Sequence, residues 1–103
     1  INQIIKPVDK YIKNAKIEVE ILKLIKYLRL DKCGFVEYYK SDQFEGYFLI
    51  IMELLGNNLY QILKINNNKG FPLNVVRYIC KQIVDSLFHL HKNKMIHSDL
   101  KVL

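Results

Sequence analysis

"QIVDSLFHLHKNKMIHSDLK", residues 82–101, changes character halfway along. Up to Lys92 it is the end of a helix: Ile83, Leu87 and Leu90 recur at helical spacing and continue a stripe begun by Val76, Ile79 and Cys80. The spacing predicts a long helix over 73–92, deeply packed on that wide face, with Arg77, Lys81, Asp85 and His89 on the opposite stripe. Cys80 then reads as a small buried thiol. Beyond the helix the period vanishes, and His97, Asp99 and Lys101 stand at alternate positions of a loop. An Asp on a loop anchored by a rigid helix can act as a general base or orient a hydroxyl, and a Lys two residues on can neutralise a phosphate.

Working back toward the first residue, "NNLYQILKI" (57–65) reads as a short helix with Asn at its N-cap, followed by the Asn-rich loop "INNNKG" (65–70). "FVEYY" (35–39) and "YFLIIM" (47–52) are β-branched and aromatic, and the Ser, Asp and Gly of "KSDQFEG" predict the turn of a hairpin between them. The second of these strands is apolar throughout, which predicts burial on both faces. "KYIKNAKIEVEILKLIKYL" (10–28) places Ile12, Ala15, Val19, Leu22 and Ile25 on one helical stripe, and "QIIKPV" (3–8) is a strand-like run closed by Pro7. Composition shifts most sharply at 53–58, the expected hinge between two lobes.

The 103 residues are half hydrophobic and a quarter charged, within the range of one globular domain or part of one. The net charge of +6 invites a nucleic-acid reading, but fourteen of the sixteen basic residues are Lys, scattered among acids and not interleaved with aromatics. Direct nucleic-acid binding is therefore not expected. Cys33 and Cys80 form no metal or redox motif, which predicts a reduced, intracellular protein. No apolar run of about 18 residues is present, so no membrane partner is expected. The chain opens without Met inside an apolar segment and stops within the polar cluster, and both ends predict a piece of a longer domain.

Two further positions raise chemical questions. Glu18 has Asn14, Ala15, Ile21 and Leu22 at three and four residues' distance, and hence no cationic helical partner, whereas Glu20 has Lys16 and Lys23. A carboxylate on an apolar flank takes a partner from another element or stays half-solvated. His89 and His91 lie about 200° apart around a helix and cannot share a metal, so one is expected packed and the other solvated.

Taken together, "VDKYIKNAKIEVEIL" (8–22), "MELLGNNLYQIL" (52–63) and "QIVDSLFHLHKNKMIHSDLK" (82–101) resemble a eukaryotic protein kinase catalytic domain from the third small-lobe strand to the catalytic loop. "HSDL" (97–100) nearly reproduces the His-Arg-Asp-Leu signature. Within kinases the chain looks most like the CDC-like, or LAMMER, group, and next like the dual-specificity tyrosine-regulated kinases. The resemblance implies an α+β fold, a partial bilobal kinase. Residues 1–55 would be part of the antiparallel small lobe with its C-helix and hinge, and 56–103 the start of the helical large lobe. It places Glu18 at the C-helix Glu, Met52 at the gatekeeper, and Glu53, Leu54 and Leu55 at the hinge, where Glu53 C=O and Leu55 N–H would bond adenine. Asp99 falls at the catalytic Asp and Lys101 at the lysine that steadies the transferred phosphate. ATP and Mg2+ are implied cofactors, with the metal ligands outside this chain. Protein substrates, Arg/Ser-rich splicing factors among them, and a nuclear location follow from the likeness.

Departures from the pattern are specific. Counting fifteen residues back from Glu18 reaches Gln3, where the pattern has the strand Lys, and a neutral amide cannot neutralise the α- and β-phosphates. Lys6 stands at an odd offset, which along a strand points to the other face. Ser98 replaces the signature Arg that pairs with an activation-loop phosphate, implying activity without that pairing. "KVL" stands where Pro-Glu-Asn is expected, and no glycine-rich loop precedes Gln3. A protein kinase and a catalytically dead kinase-like interaction module both fit these residues.

Overall fold

A computed structural model describes residues 3–102. The elements in order are β1 (Gln3–Ile5), α1 (Asp9–Tyr27), a 3-10 turn (Leu30–Cys33), β2 (Tyr38–Phe44), β3 (Tyr47–Met52), α2 (Leu59–Ile65) and α3 (Leu73–Lys92). The chain divides into two compact units after Leu54.

The first unit is an antiparallel sheet of order β1-β3-β2 with α1 laid across one face. α1 buries Ala15, Val19, Leu22 and Ile25, the stripe its spacing predicts, and begins at Asp9, where the carboxylate favours the helix N-terminus. Against it lie Tyr38, Phe48 and the fully buried Ile50, with Ile5, Ile12, Val36 and Met52 at the edge of the cluster. Removing this much apolar surface from water is the main stabilising term for the unit. Lys26 closes its far end: Nζ donates to Tyr38 O at 2.7 Å, sits 3.9 Å from a Glu37 carboxylate oxygen and lies 5.8 Å from the Tyr39 ring centre.

Three expectations for this unit are corrected. The first strand of the hairpin is not 35–39 but Tyr38–Phe44, because the reversal needs only Glu45 and Gly46, at φ 50 and 84. Two consecutive positive φ values make the tight reversal that matches strand twist, so "KSDQF" is free to pair with β3 up to Phe44↔Tyr47. A bulge between Tyr38 and Lys40 then shifts the register. β3 is buried on one face only, through Phe48 and Ile50, while Leu49 and Ile51 are half-buried on the other. β1 stops at Ile5 and does not run to Val8.

The second unit is helical. Asn58 caps α2 in a reciprocal box: its side chain accepts from Gln61 N–H at 2.8 Å, and Gln61 Oε1 accepts from Asn58 N–H at 2.9 Å. α3 spans the 73–92 its periodicity predicts, but the deep packing is not found among the described residues. Of the predicted stripe only Leu90 is buried, Val76 and Ile83 are each 38 % exposed, and Cys80 is exposed and not a core thiol. Amphipathic spacing identifies the face that seeks a partner without supplying one. His91 is exposed, whereas His89 is half-buried with its ring edge-on to Phe88 at 5.5 Å, as expected for that pair.

Candidate functional site

Three clusters carry the predicted residues. In the first, the α1 stripe seated on β3 sets the rotation of the helix and brings Glu18 to its border. β1 pairs with β3 in the register Gln3↔Ile50, which brings Gln3 to the same border from the sheet. The two meet: Gln3 Nε2 donates to Glu18 Oε1 at 3.3 Å. A residue fifteen positions away in sequence thus supplies the partner that Glu18 lacks on its own helix. The bond is long and solvated, and the neutral amide leaves the carboxylate's charge uncompensated. Lys6 lies just past the end of β1, so strand alternation does not govern it. It lines a hollow of about 320 Å³ together with Tyr11, Asn14 and Glu18, although no ion pair between Lys6 and Glu18 forms.

The second cluster is the strand end at residues 52–55. Met52 closes β3 opposite Tyr38 and packs against the sheet–helix core. Glu53 N–H donates to Glu37 O at 2.9 Å, extending the pairing one residue past the strand. There the structure opens: Leu54 is 92 % exposed and Leu55 63 %. Leu54 and Leu55 lie on a chain segment without regular structure.

The third cluster is the loop after α3. Asn93 Nδ2 donates to His89 O at 2.8 Å, Lys94 N–H to His91 O at 2.9 Å and Met95 N–H to Leu90 O at 3.1 Å, which ties the loop to the last turn of the helix. The loop is tied again at its far end, where Tyr60 N–H at the start of α2 donates to Val102 O at 3.1 Å. Between these anchors Ser98 holds φ 64, a left-handed conformation that costs a non-glycine residue about 1 kcal/mol. That twist folds Asp99 back so that its N–H donates to His97 Nδ1 at 3.1 Å. His97 accepts there only with its proton on Nε2. Lys101 Nζ lies 3.3 Å from Asp99 Oδ2, and both side chains are more than half exposed. An exposed pair of this kind adds about 0–1 kcal/mol to stability. Among the described residues no group of three or more His, Cys, Asp or Glu is arranged to hold a metal ion.

A largely exposed carboxylate with one oxygen engaged by a lysine, on a loop tied at both ends, can orient a hydroxyl while the lysine balances negative charge. The family model described as "Protein kinase domain" matches residues 2–102. The chain belongs to the protein kinase domain family. It is 35 % identical over 101 residues to the "Dual specificity protein kinase YAK1" of Saccharomyces cerevisiae, covering 96 % of this chain and 12 % of that protein. To the "Dual specificity protein kinase CLK2" of Homo sapiens it is 34 % identical over 100 residues, covering 96 % of this chain and 20 % of the relative. A crystal structure of a kinase domain superposes with a TM-score of 0.89 at 33 % identity, over 95 % of this chain and 29 % of that one. The kinase segment described here therefore spans less than a quarter of these two curated relatives. An α+β partial kinase fold, with a three-stranded antiparallel sheet and helices, is what both fold and family show.

Several residues that build the site escaped the sequence reading. Lys26 looked like one of many surface lysines, and nothing local indicates that it clamps α1 to β2. The link from Tyr60 to Val102 joins positions forty-two residues apart and has no sequence signal. The Asn58/Gln61 box did have one, an Asn followed three residues later by Gln, of which only the Asn was read.

Proposed function

We propose that the full-length protein is an ATP-dependent protein kinase acting on Ser/Thr, or on Tyr as well. The single observation that carries this reading is the Asp99–Lys101 pair on its doubly anchored loop. In this reading Asp99 Oδ1 accepts the hydrogen bond of the acceptor hydroxyl and aligns its oxygen for attack. Lys101, already on Oδ2, balances charge on the phosphoryl group in transit. ATP is the substrate that supplies that group, and the backbone of Glu53–Leu55 is where we place its adenine. The phosphate end fits less well: Gln3 offers an amide in the place of a cation, and the described residues provide no metal site for Mg2+. The names of the relatives, several of them dual-specificity kinases, support hydroxyl phosphorylation and favour the CDC-like or tyrosine-regulated groups. A nuclear location rests on that likeness alone and is checked by imaging a fluorescent fusion.

A second reading, a kinase-like module without catalytic activity, is favoured by Gln3 specifically. The experiment that separates them is phosphoryl transfer from labelled ATP by the full-length protein to a generic protein substrate, with Asp99→Asn as the control. Transfer that depends on Asp99 supports the kinase. Intact nucleotide-free folding with no transfer by the wild type supports the module. Arg/Ser-rich substrates follow only from the likeness, and the charge around Asp99 runs against them.

A further inference from the structure

Lys26 stands in the last turn of α1, directly after Ile25, where the buried stripe of the helix ends. Its ammonium group reaches three consecutive residues at the start of β2. Nζ donates to Tyr38 O at 2.7 Å, lies 3.9 Å from Glu37 Oε1 and stands 5.8 Å from the centre of the Tyr39 ring. Here β2 departs from regular pairing, because the bulge between Tyr38 and Lys40 falls on Tyr39. A bulge interrupts the ladder and re-aims the groups beside it, so a contact from outside the ladder helps to fix its conformation. Opposite lies the end of β3: Tyr38 pairs with Met52, and Glu37 O accepts from Glu53 N–H at 2.9 Å. The lysine thus grips a stretch whose other edge holds Met52 and Glu53.

We propose that Lys26 is a positioning residue for the nucleotide: by holding the bulge at residues 37–39 it sets where Met52 and the C=O of Glu53 stand relative to α1. The inference rests on the reading that places adenine at Glu53. Apolar packing is non-directional, so the seat of Ala15, Val19 and Leu22 on Phe48 and Ile50 keeps α1 on the sheet without fixing the strand end. A hydrogen bond from a charged donor is directional, and that of Lys26 to Tyr38 O is short. The pair with Glu37 is looser and part-solvated, so it adds little, and the bond to Tyr38 O is the grip. Glu18 stands eight residues before Lys26 on the same helix, about 12 Å along the axis at 1.5 Å per residue. Both ends of the proposed nucleotide site are therefore referred to one rigid element: the carboxylate that faces Gln3 directly, and the strand end at Glu53 through Lys26.

The test compares the full-length wild type with Lys26→Met, Lys26→Arg and Lys23→Met. Methionine keeps an unbranched apolar stem and removes charge and donor, whereas arginine keeps both. Lys23 lies on the same helix and pairs with exposed Glu20, so its loss controls for removal of a lysine from α1. Amide hydrogen exchange of the nucleotide-free proteins is read first. Lys26→Met should raise exchange at Glu53 about tenfold while the amides of Ala15, Val19 and Leu22 change less than about twofold. Lys26→Arg should restore most of the protection, and Lys23→Met should match the wild type. Unchanged exchange at Glu53 would overturn the inference, and so would an equal rise throughout α1 and the sheet, which marks lost global stability and not a lost position. Binding of a fluorescent ATP analogue and turnover are read next. Lys26→Met should raise Kd and the KM for ATP about fivefold with kcat kept within about twofold, and an unchanged Kd would overturn the inference. A wild type that binds no nucleotide removes the adenine reading instead, and exchange at Glu53 alone then decides whether Lys26 positions this strand end.

Discussion

At the scale of single residues, the proposed function turns on Gln3 and Asp99. The amide of Gln3 occupies the donor position facing Glu18, so a cation placed there would meet a carboxylate already in reach. Gln3→Lys should convert a neutral hydrogen bond into an ion pair and provide the positive charge that nucleotide phosphates need. In the full-length protein, affinity for a fluorescent ATP analogue should rise about tenfold, while the melting temperature moves little because the pair is exposed. Unchanged nucleotide affinity would show that Gln3 is not at the phosphate end of the site. Glu18 also illustrates how far sequence reasoning reaches: the missing helical partner was visible, but the bond that replaces it depends on the register of β1 against β3. No local pattern encodes that register. Asp99 and Lys101 were legible as a spacing, whereas the left-handed Ser98 that turns Asp99 back toward His97 was not, since a serine carries no preference for that conformation.

Among the elements, α1 and α3 follow directly from apolar periodicity, and the hairpin does not. The polar residues of "KSDQF" were read as a turn because they look solvated, and they are: Lys40, Asp42 and Gln43 face water while their backbones pair with Ile51, Leu49 and Phe48. A strand with an exposed face carries too few apolar residues to announce itself. The reversal at Glu45 and Gly46 gives a prediction, because Asn tolerates positive φ better than Glu. Glu45→Asn should stabilise the first unit by about 0.5–1 kcal/mol, seen as a higher urea midpoint, and a lower midpoint would contradict the assigned turn. In α2, Asn58→Ala removes the side-chain acceptor of Gln61 N–H, one half of the capping box, and should cost about 1 kcal/mol. Because α2 also holds Val102, the same variant should increase amide hydrogen exchange in residues 97–102; exchange confined to α2 itself would show that the loop does not depend on it.

For the molecule as a whole, burial is concentrated in the first unit. Ile50 of β3 is fully buried under α1, so Ile50→Ala should cost about 2–5 kcal/mol and bring the first unit near its unfolding threshold. The second unit shows the opposite balance, with Tyr78, Val84 and Phe88 of α3 largely exposed. Periodicity foretold the stripe of Val76, Ile79, Cys80, Ile83, Leu87 and Leu90 but not that so little of the described chain covers it, since coverage depends on elements elsewhere in a protein. The 103-residue chain in isolation should therefore self-associate, measured by sedimentation velocity, and Val84→Glu with Phe88→Glu should shift it toward monomer. A monodisperse wild-type chain at micromolar concentration would contradict the exposure of that face. What unites both units is the claim that their residues serve phosphoryl transfer to a protein hydroxyl oriented by Asp99. The most direct measurement is the turnover of labelled ATP into phosphoprotein by the purified full-length protein, wild type against Asp99→Asn, with nucleotide affinity recorded alongside. The account predicts that the variant loses transfer by about a thousandfold or more while binding nucleotide as the wild type does. Equal turnover by the two proteins would contradict it.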